Sequence, residues 1–347
     1  MTTPHTTDID WEAHGTALER QAELHLPALE MTADWLRRLL GAEPARDVRG
    51  AAAADGALEA QPADDLLGAE PADSAPEVHP SGGPLSAQPA NSAPEAQPAA
   101  ASAVTRVLDI GSGPGVISCL LAQRFPRAEV VAIDQAAGLL ERTRARAAGQ
   151  GLTGRVVTHQ ADLPEDLDSL GSAELIWTSQ AVHHLGDQQA ALDALATRLR
   201  PGGVLAVAER GLTPRFLPRD IGLGRPGLQA RLDAAAEESF AAMRAALPGS
   251  TSTVEDWPAM LSRAGLVPTG TRTFLTDQPA PLSLPAREYL HDHLTRLRQQ
   301  LAPYLDEEDL TTLDRLLHGD ACTGILWRPD AFYLTATTVH TARSCTH

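Results

Sequence analysis

The chain has 347 residues, 45 acidic against 28 basic, and a formal net charge of −17 at pH 7 with a pI near 5.1. Such a surface repels a nucleic-acid backbone, and no apolar run approaches the ~18 residues of a membrane span, so neither is expected as a partner. Cys119, Cys322 and Cys345 are too scattered for a disulfide framework or a structural zinc, and no metal is expected.

The polar, acidic N-terminus lacks the positive region and apolar core of a secretory signal, which leads us to expect a cytoplasmic protein. Residues 17–40 read as an amphipathic helical region broken at Pro27, with Met31, Trp35 and Leu39 four apart and Leu36 and Leu40 widening the stripe. This N-terminal helical cap, residues 1–41, gives way to a 42–103 insertion rich in Ala, Pro and Glu. Gly-Ala-Glu-Pro-Ala and Ser-Ala-Pro-Glu each recur twice there, and Ala-Gln-Pro-Ala three times, with Gly41 opening the first repeat. Acids outnumber arginines ten to two, so the segment cannot bury enough apolar surface to offset its ordering entropy and is expected to be disordered.

Residues 104–347 read as one domain. The apolar run Val107-Leu108-Asp109-Ile110 leads into Gly111-Ser112-Gly113-Pro114-Gly115 and then a helical pattern, a strand–turn–helix cradle at the carboxyl end of a parallel strand. Val116 holds the third fingerprint position of a dinucleotide loop and the chain has no lysine for a P-loop, so phosphate recognition is disfavoured. A second strand, Ala128–Ile133, ends in Asp134, about twenty residues beyond the loop, where an acid can take two ribose hydroxyls. A third, Arg155–Gln160, is followed by Asp162 and Leu163. A fourth, Glu174–Thr178, runs into Ser179-Gln180-Ala181-Val182-His183-His184. After an Ala/Leu-rich helix from Gln188 to Leu199, Arg200-Pro201-Gly202-Gly203 precedes a fifth strand, Val204–Glu209. Acids closing successive strands suit a cationic ligand with hydroxyls and an amine, and do not suit a pyrophosphate.

Beyond Glu209 a helix is expected over 227–247. Another is expected over 254–264 with Thr253 as its cap, then strands over 269–274 and 331–338. Between those strands lie two helices, one with Leu290, Leu294, Leu297 and Leu301 on one face, the other with acids from Asp306 to Asp309 in its first turn and then Leu310, Leu313 and Leu317. The insertions at about 213–250 and 281–328 are where a lid over a substrate would be built.

From Val104 to Glu209 the chain resembles the class I S-adenosylmethionine-dependent methyltransferases, the branch typified by ubiquinone/menaquinone C-methyltransferases and trans-aconitate methyltransferase, with five motifs in order. The resemblance implies an α/β fold, a Rossmann-like, doubly wound, mostly parallel seven-stranded sheet with helical lid insertions, and S-adenosyl-L-methionine as cofactor. It implies that Asp109, Gly111, Ser112, Gly113 and Gly115 hold the methionine end. Asp134 would bind the ribose, Gln135 would lie near the adenine, and Asp162 would accept from the adenine amino group with Leu163 packing alongside. Ser179 and Gln180 would flank the sulfonium, and the N-terminal helices would lie over cofactor and substrate.

Methyl transfer from a sulfonium is an in-line displacement in which the protein mainly aligns the reactants and keeps the pocket dry. A base helps only a nucleophile that arrives protonated, and His183 and His184, directly after the fourth strand, are the candidates. Tyr289, Trp327, Arg219 and Arg225 are positioned to line a substrate pocket, Arg225 to meet a carboxylate. The expected activity is methylation of a small molecule at oxygen, carbon or nitrogen. The alternatives are a catalytically silent S-adenosylmethionine-binding protein, a protein methyltransferase and an NAD(P)-dependent oxidoreductase. The composition leaves the oligomeric state open.

If 42–103 is only a linker, excising about 45–100 leaves cofactor affinity unchanged by isothermal titration. A large loss of affinity would refute the linker reading.

Overall fold

In the computed structural model the described residues are 12, 14–41, 104–163 and 165–345. The 42–103 segment, for which disorder is expected, lies outside them. The described chain runs α1 (Gly15–Leu24), α2 (Leu26–Leu39), β1 (Arg106–Ile110), α3 (Val116–Arg124), β2 (Glu129–Asp134), α4 (Ala137–Gly149), β3 (Val156–Gln160), β4 (Ala173–Ser179), α5 (Gln188–Thr197) and β5 (Leu199–Arg215). It continues through α6 (Leu228–Ala246), α7 (Trp257–Arg263), β6 (Val267–Gln278), α8 (Leu284–Gln300), α9 (Glu307–His318) and β7 (Tyr333–Arg343). Among these residues no helix is long and apolar enough to cross a membrane.

The strands form one seven-stranded sheet in the order β3-β2-β1-β4-β5-β7-β6. All neighbours are parallel except β7, which is antiparallel to both β5 and β6. The expected doubly wound, mostly parallel α/β sheet is therefore present. Strands covered on both faces read as continuous apolar runs because alternate side chains enter two different cores. Val107, Leu175, Trp177, Val204 and Ala206 pack towards α2 and α3, while Leu108, Ile110, Ile176, Leu205 and Val207 pack towards α5 and α7. A third core joins α6, α8 and α9 around Leu232, Leu290, Leu294, Leu313 and Leu316. The first leucine of the α9 stripe, Leu310, stays only half-buried.

Helix starts follow local chemistry. Pro27 sits in the first turn of α2, where a missing N–H costs nothing, so the expected break becomes a boundary between two helices. Asp187 and Asp306 cap α5 and α9 through Ala190 N (2.9 Å) and Asp309 N (2.9 Å). For α7 the cap is Asp256, which accepts from Ala259 N at 3.1 Å, and not the expected Thr253. The helix begins three residues later than expected, at Trp257, leaving Val254 exposed, because the carboxylate cap is followed by a proline suited to a first turn. Strand β5 also runs past Glu209 to Arg215, since β7 continues to pair with it there.

The helical cap is held from two sides. Leu36 and Ala33 are fully buried against the sheet, and Trp35 packs on Phe274 of β6. Met31, expected on the same stripe, is half exposed, because the buried face turns through Ala33 and Leu36. Arg142 and Arg146 of α4 reach Glu19 (2.9 Å) and Glu23 (3.1 Å), and on the other flank Arg20 reaches Asp292 of α8 at 2.6 Å.

Truncating the side chain at Leu36→Ala should cost about 2–5 kcal/mol in urea unfolding, whereas Met31→Ala should stay within about 0.5 kcal/mol. Equal effects would contradict this account of how the cap packs.

Candidate functional site

The carboxyl ends of the parallel strands carry the residues singled out in the sequence. At the tip of β1 the backbone turns through Gly111, Gly113 and Gly115 at φ of 69°, 56° and 74°. The N–H groups of Gly111 and Ser112 both donate to Ile133 O at 2.9 Å, which ties the turn to β2. Gly113 N donates to Asp134 Oδ2 at 2.9 Å, and Ala136 N to Asp134 Oδ1 at 3.0 Å. A Cβ on Gly113 would meet nothing within 4 Å, so this left-handed backbone faces open space. A Cβ on Gly111 would lie 2.8 Å from Ala181 Cβ, so the glycine turn abuts the segment after β4. Ser112 is buried, and its Oγ has no hydrogen-bond partner among the described residues.

Two carboxylates sit beneath and beside this turn. Asp109 is 1% exposed and accepts from Ser118 Oγ of α3. Burial pushes its pKa up to about 7; the Ser118 hydrogen bond opposes the shift and the nearby Asp134 charge adds to it. Asp109 thus lies under the cradle and does not line it. Burial also raises Asp134, against the pull of the backbone N–H groups of Ala136, Gly113 and Gln135. The hollow is electronegative, and among the described residues no cation opposes the upward shift of either acid, which suits a positively charged ligand.

The remaining expected residues follow along the same edge. Gln135 is exposed beyond Asp134, and its carbonyl accepts from Gln160 Nε2 at 2.9 Å. Asp162 is exposed after β3 and Leu163 is half-buried; the Asp162 N–H donates to Asp166 Oδ2 at 2.9 Å. Ser179 ends β4, half-buried. Gln180 follows at φ 55°, the one non-glycine with positive φ among the described residues. That sparsely populated conformation is fixed by Gln180 N donating to Ala208 O at 3.0 Å.

The short 3-10 turn Val182–His184 then places the two histidines differently. His183 is buried, and its Nδ1 lies 2.9 Å from Glu209 Oε2, itself buried on β5. His184 sits beside it, ring centroids 4.3 Å apart, and burial with the His183 and Arg244 charges pushes its pKa down to about 4. Phe240 of α6 meets His183 edge-on at 5.5 Å. Arg244, one turn further along α6, donates to the carbonyls of His183 (2.8 Å), Leu185 (2.5 Å) and Gly186 (3.1 Å). Glu209 escaped the sequence reading as a site residue. Its signal was the one used for Asp109 and Asp134, an acid closing an apolar strand.

Other candidates sit elsewhere. Arg225 is taken up by Asp306, Glu308 and Asp309, which leaves no free guanidinium there for a substrate carboxylate. Tyr289 is core, 1% exposed, with its ring stacked on His293 and its hydroxyl 3.5 Å from that of Tyr333. Trp327 and Arg219 are exposed.

Residues 107–203 match the family described as "Methyltransferase domain". A trans-aconitate 2-methyltransferase of Methylobacterium nodulans is 31% identical over 234 residues, covering 62% of this chain and 86% of that protein. Its namesake from Rhodopseudomonas palustris is 30% identical over 234 residues, covering 61% and 85%. A malonyl-[acyl-carrier protein] O-methyltransferase of Laribacter hongkongensis is 35% identical over 114 residues, covering 31% and 38%.

Burial of Asp109 has a consequence for the ligand-free protein. Its folded pKa, about 7, lies above the ordinary carboxylate value, so the folded state holds the proton more tightly than the unfolded chain. This contribution to stability is full below about pH 4 and is lost as pH rises towards 7. Urea unfolding at pH 5 and pH 8 should show that loss in wild type and a smaller one in Asp109→Asn. The same pH dependence in both proteins would contradict the assignment.

Proposed function

The chain belongs to the class I S-adenosylmethionine-dependent methyltransferases, and from that premise we propose how its residues divide the work. S-adenosylmethionine is the cofactor and methyl transfer to a small molecule is the activity; the silent binder, the protein methyltransferase and the oxidoreductase are not favoured. When bound, the cofactor supplies an electrophilic methyl group on a positively charged sulfur. Asp134 takes its ribose hydroxyls, with Gln135 beside the adenine, Asp162 accepting from the adenine amino group and Leu163 packing against the ring. The Gly111–Gly115 turn receives the methionine end and offers it the unpaired Ser112 Oγ. Asp109 acts from below through its charge. Ser179 and Gln180 flank the sulfonium.

The observation that carries this reading is the open face of Gly113. It is bare left-handed backbone with free space above it, held in place by the carboxylate next to it. A side chain at that position would fill the space a ligand needs. Of the two histidines, His183 is the one suited to take a proton. Its Nδ1 faces Glu209, which favours the tautomer with Nε2 accepting. The names of the relatives put trans-aconitate and malonyl-[acyl-carrier protein] among the candidate acceptors. The segments 213–250 and 281–328 serve as the lid, a reading supported by Phe240 and Arg244 of α6 reaching the His183 turn.

Asp134→Ala removes the partner of two backbone donors as well as the acceptor offered to ribose. Titration with S-adenosylhomocysteine should show affinity reduced by about 10–100-fold or more, the loss of roughly 1.5–3 kcal/mol of charge-assisted hydrogen bonding. Wild-type affinity in the variant would contradict the ribose assignment.

A further inference from the structure

Arg296 of α8 is half-buried, yet among the described residues no acid, carbonyl or polar side chain bonds to it. Every other half-buried arginine has such a partner. Arg20 reaches Asp292 at 2.6 Å, Arg298 reaches Asp314 at 2.9 Å, and Arg155 and Arg244 donate to backbone carbonyls. Asp292 lies one turn before Arg296 and could have paired with it, but Arg20 of the cap has taken it. In a chain with 45 acids against 28 arginines, a partly desolvated guanidinium left without an anion calls for one from outside. His293, three residues earlier, is half-buried too, and its ring nitrogens have no hydrogen bond among the described residues. The ring is fixed all the same, stacked on Tyr289 at 5.8 Å and edge-on to Phe216 at 5.6 Å. Burial pushes its pKa down to about 4, and the Arg296 charge adds to that shift. The imidazole is therefore neutral at pH 7 and keeps one N–H to donate.

The position of this pair ties it to the transfer site. Along one ridge of α8, Asp292 contacts α1 through Arg20, and Gln300 Nε2 donates to Ser239 Oγ of α6 at 3.2 Å. Arg296 stands midway, one turn from each, where α8 passes from the cap to α6. The residue after Ser239 is Phe240, which meets His183 at the end of β4.

We infer, resting on the methyl-transfer reading above, that Arg296 and His293 are the subsite that docks a carboxylate of the acceptor, which is therefore a small organic acid. The guanidinium fork offers a carboxylate two parallel N–H bonds, and the imidazole adds a third donor. The carboxylate held there is not the group that is methylated, since its lone pairs are engaged. The methyl goes to another group of the same molecule, and the product keeps a negative charge.

The test uses the full chain, tritium-labelled S-adenosylmethionine and a deproteinised small-molecule extract of the source cells. At neutral pH the labelled product should bind an anion exchanger, and its mass spectrum should show a free carboxylate. With the extract diluted until rate is proportional to its concentration, Arg296→Met should be about 10–100-fold slower than wild type. Arg296→Lys should recover part of that loss, and all three proteins should bind S-adenosylhomocysteine equally. If Arg296→Met does not fold, Arg296→Lys decides: a slower rate is expected, because a point charge replaces the planar fork, and a wild-type rate overturns the inference. Label in the flow-through, a product whose charge comes from phosphate or sulfate, or a wild-type rate in Arg296→Met overturns the inference and leaves methyl transfer standing. Absence of transfer by an enzyme that still binds S-adenosylhomocysteine overturns the small-molecule reading beneath it, and the inference with it.

Discussion

The Asp134 carboxylate, gripped by the N–H groups of Gly113 and Ala136, is the interaction on which the rest of the site depends. Together with the two bonds from Gly111 and Ser112 to Ile133 O, it fastens the turn after β1 to the tip of β2. A glycine turn free in solution would sample many conformations. Here the neighbouring strand selects one, so the cradle exists before any ligand arrives and less ordering entropy is lost on binding. The same carboxylate, with Asp109 below it, leaves negative charge in a hollow that burial makes expensive, as the upward pKa shifts of both acids record. A cationic ligand relieves that cost, so loop shape and loop charge favour the same cofactor.

Holding the cap and tuning the site fall to different forces. The cap–α4 and cap–α8 ion pairs are partly solvent-exposed, and each contributes at most about 1 kcal/mol. The apolar face of α2, with Leu36 and Ala33 fully buried, does most of the holding. His25, at the junction of α1 and α2, adds direction by meeting the buried Tyr333 hydroxyl at 2.9 Å, a bond that fixes where the cap rests on β7. Burial pushes His25 down to about 4, so this contact persists without a charged imidazole at neutral pH.

Much of this was legible in the sequence because its signals are local. Buried parallel strands such as β1, β2 and β4 print as apolar runs, and the glycine spacing with an acid before it marks the turn that follows. What stayed hidden was long-range. The insertion of β7 between β5 and β6 depends on pairings more than sixty residues apart, such as Thr273 with Thr338, which no window of sequence contains. The extension of β5 beyond Glu209 is sustained only by β7. The His183–Glu209 contact spans 26 residues and two strands, and Arg225 reads as available until α9 brings three acids to it. Tyr289 falls into the core for the same reason, since its neighbour Tyr333 comes from another element. Local chemistry misled at α7, where Asp256 and the proline in the first turn prevailed over Thr253, and on the α2 stripe, where Met31 stays half exposed.

The most direct test is a crystal structure of the complex with S-adenosylhomocysteine. The ribose hydroxyls should lie on the Asp134 carboxylate and the homocysteine portion across the bare backbone of Gly113, with the sulfur facing the turn that bears His183. Density for the nucleoside anywhere other than the tips of β1 and β2, or a ribose that ignores Asp134, would contradict that placement.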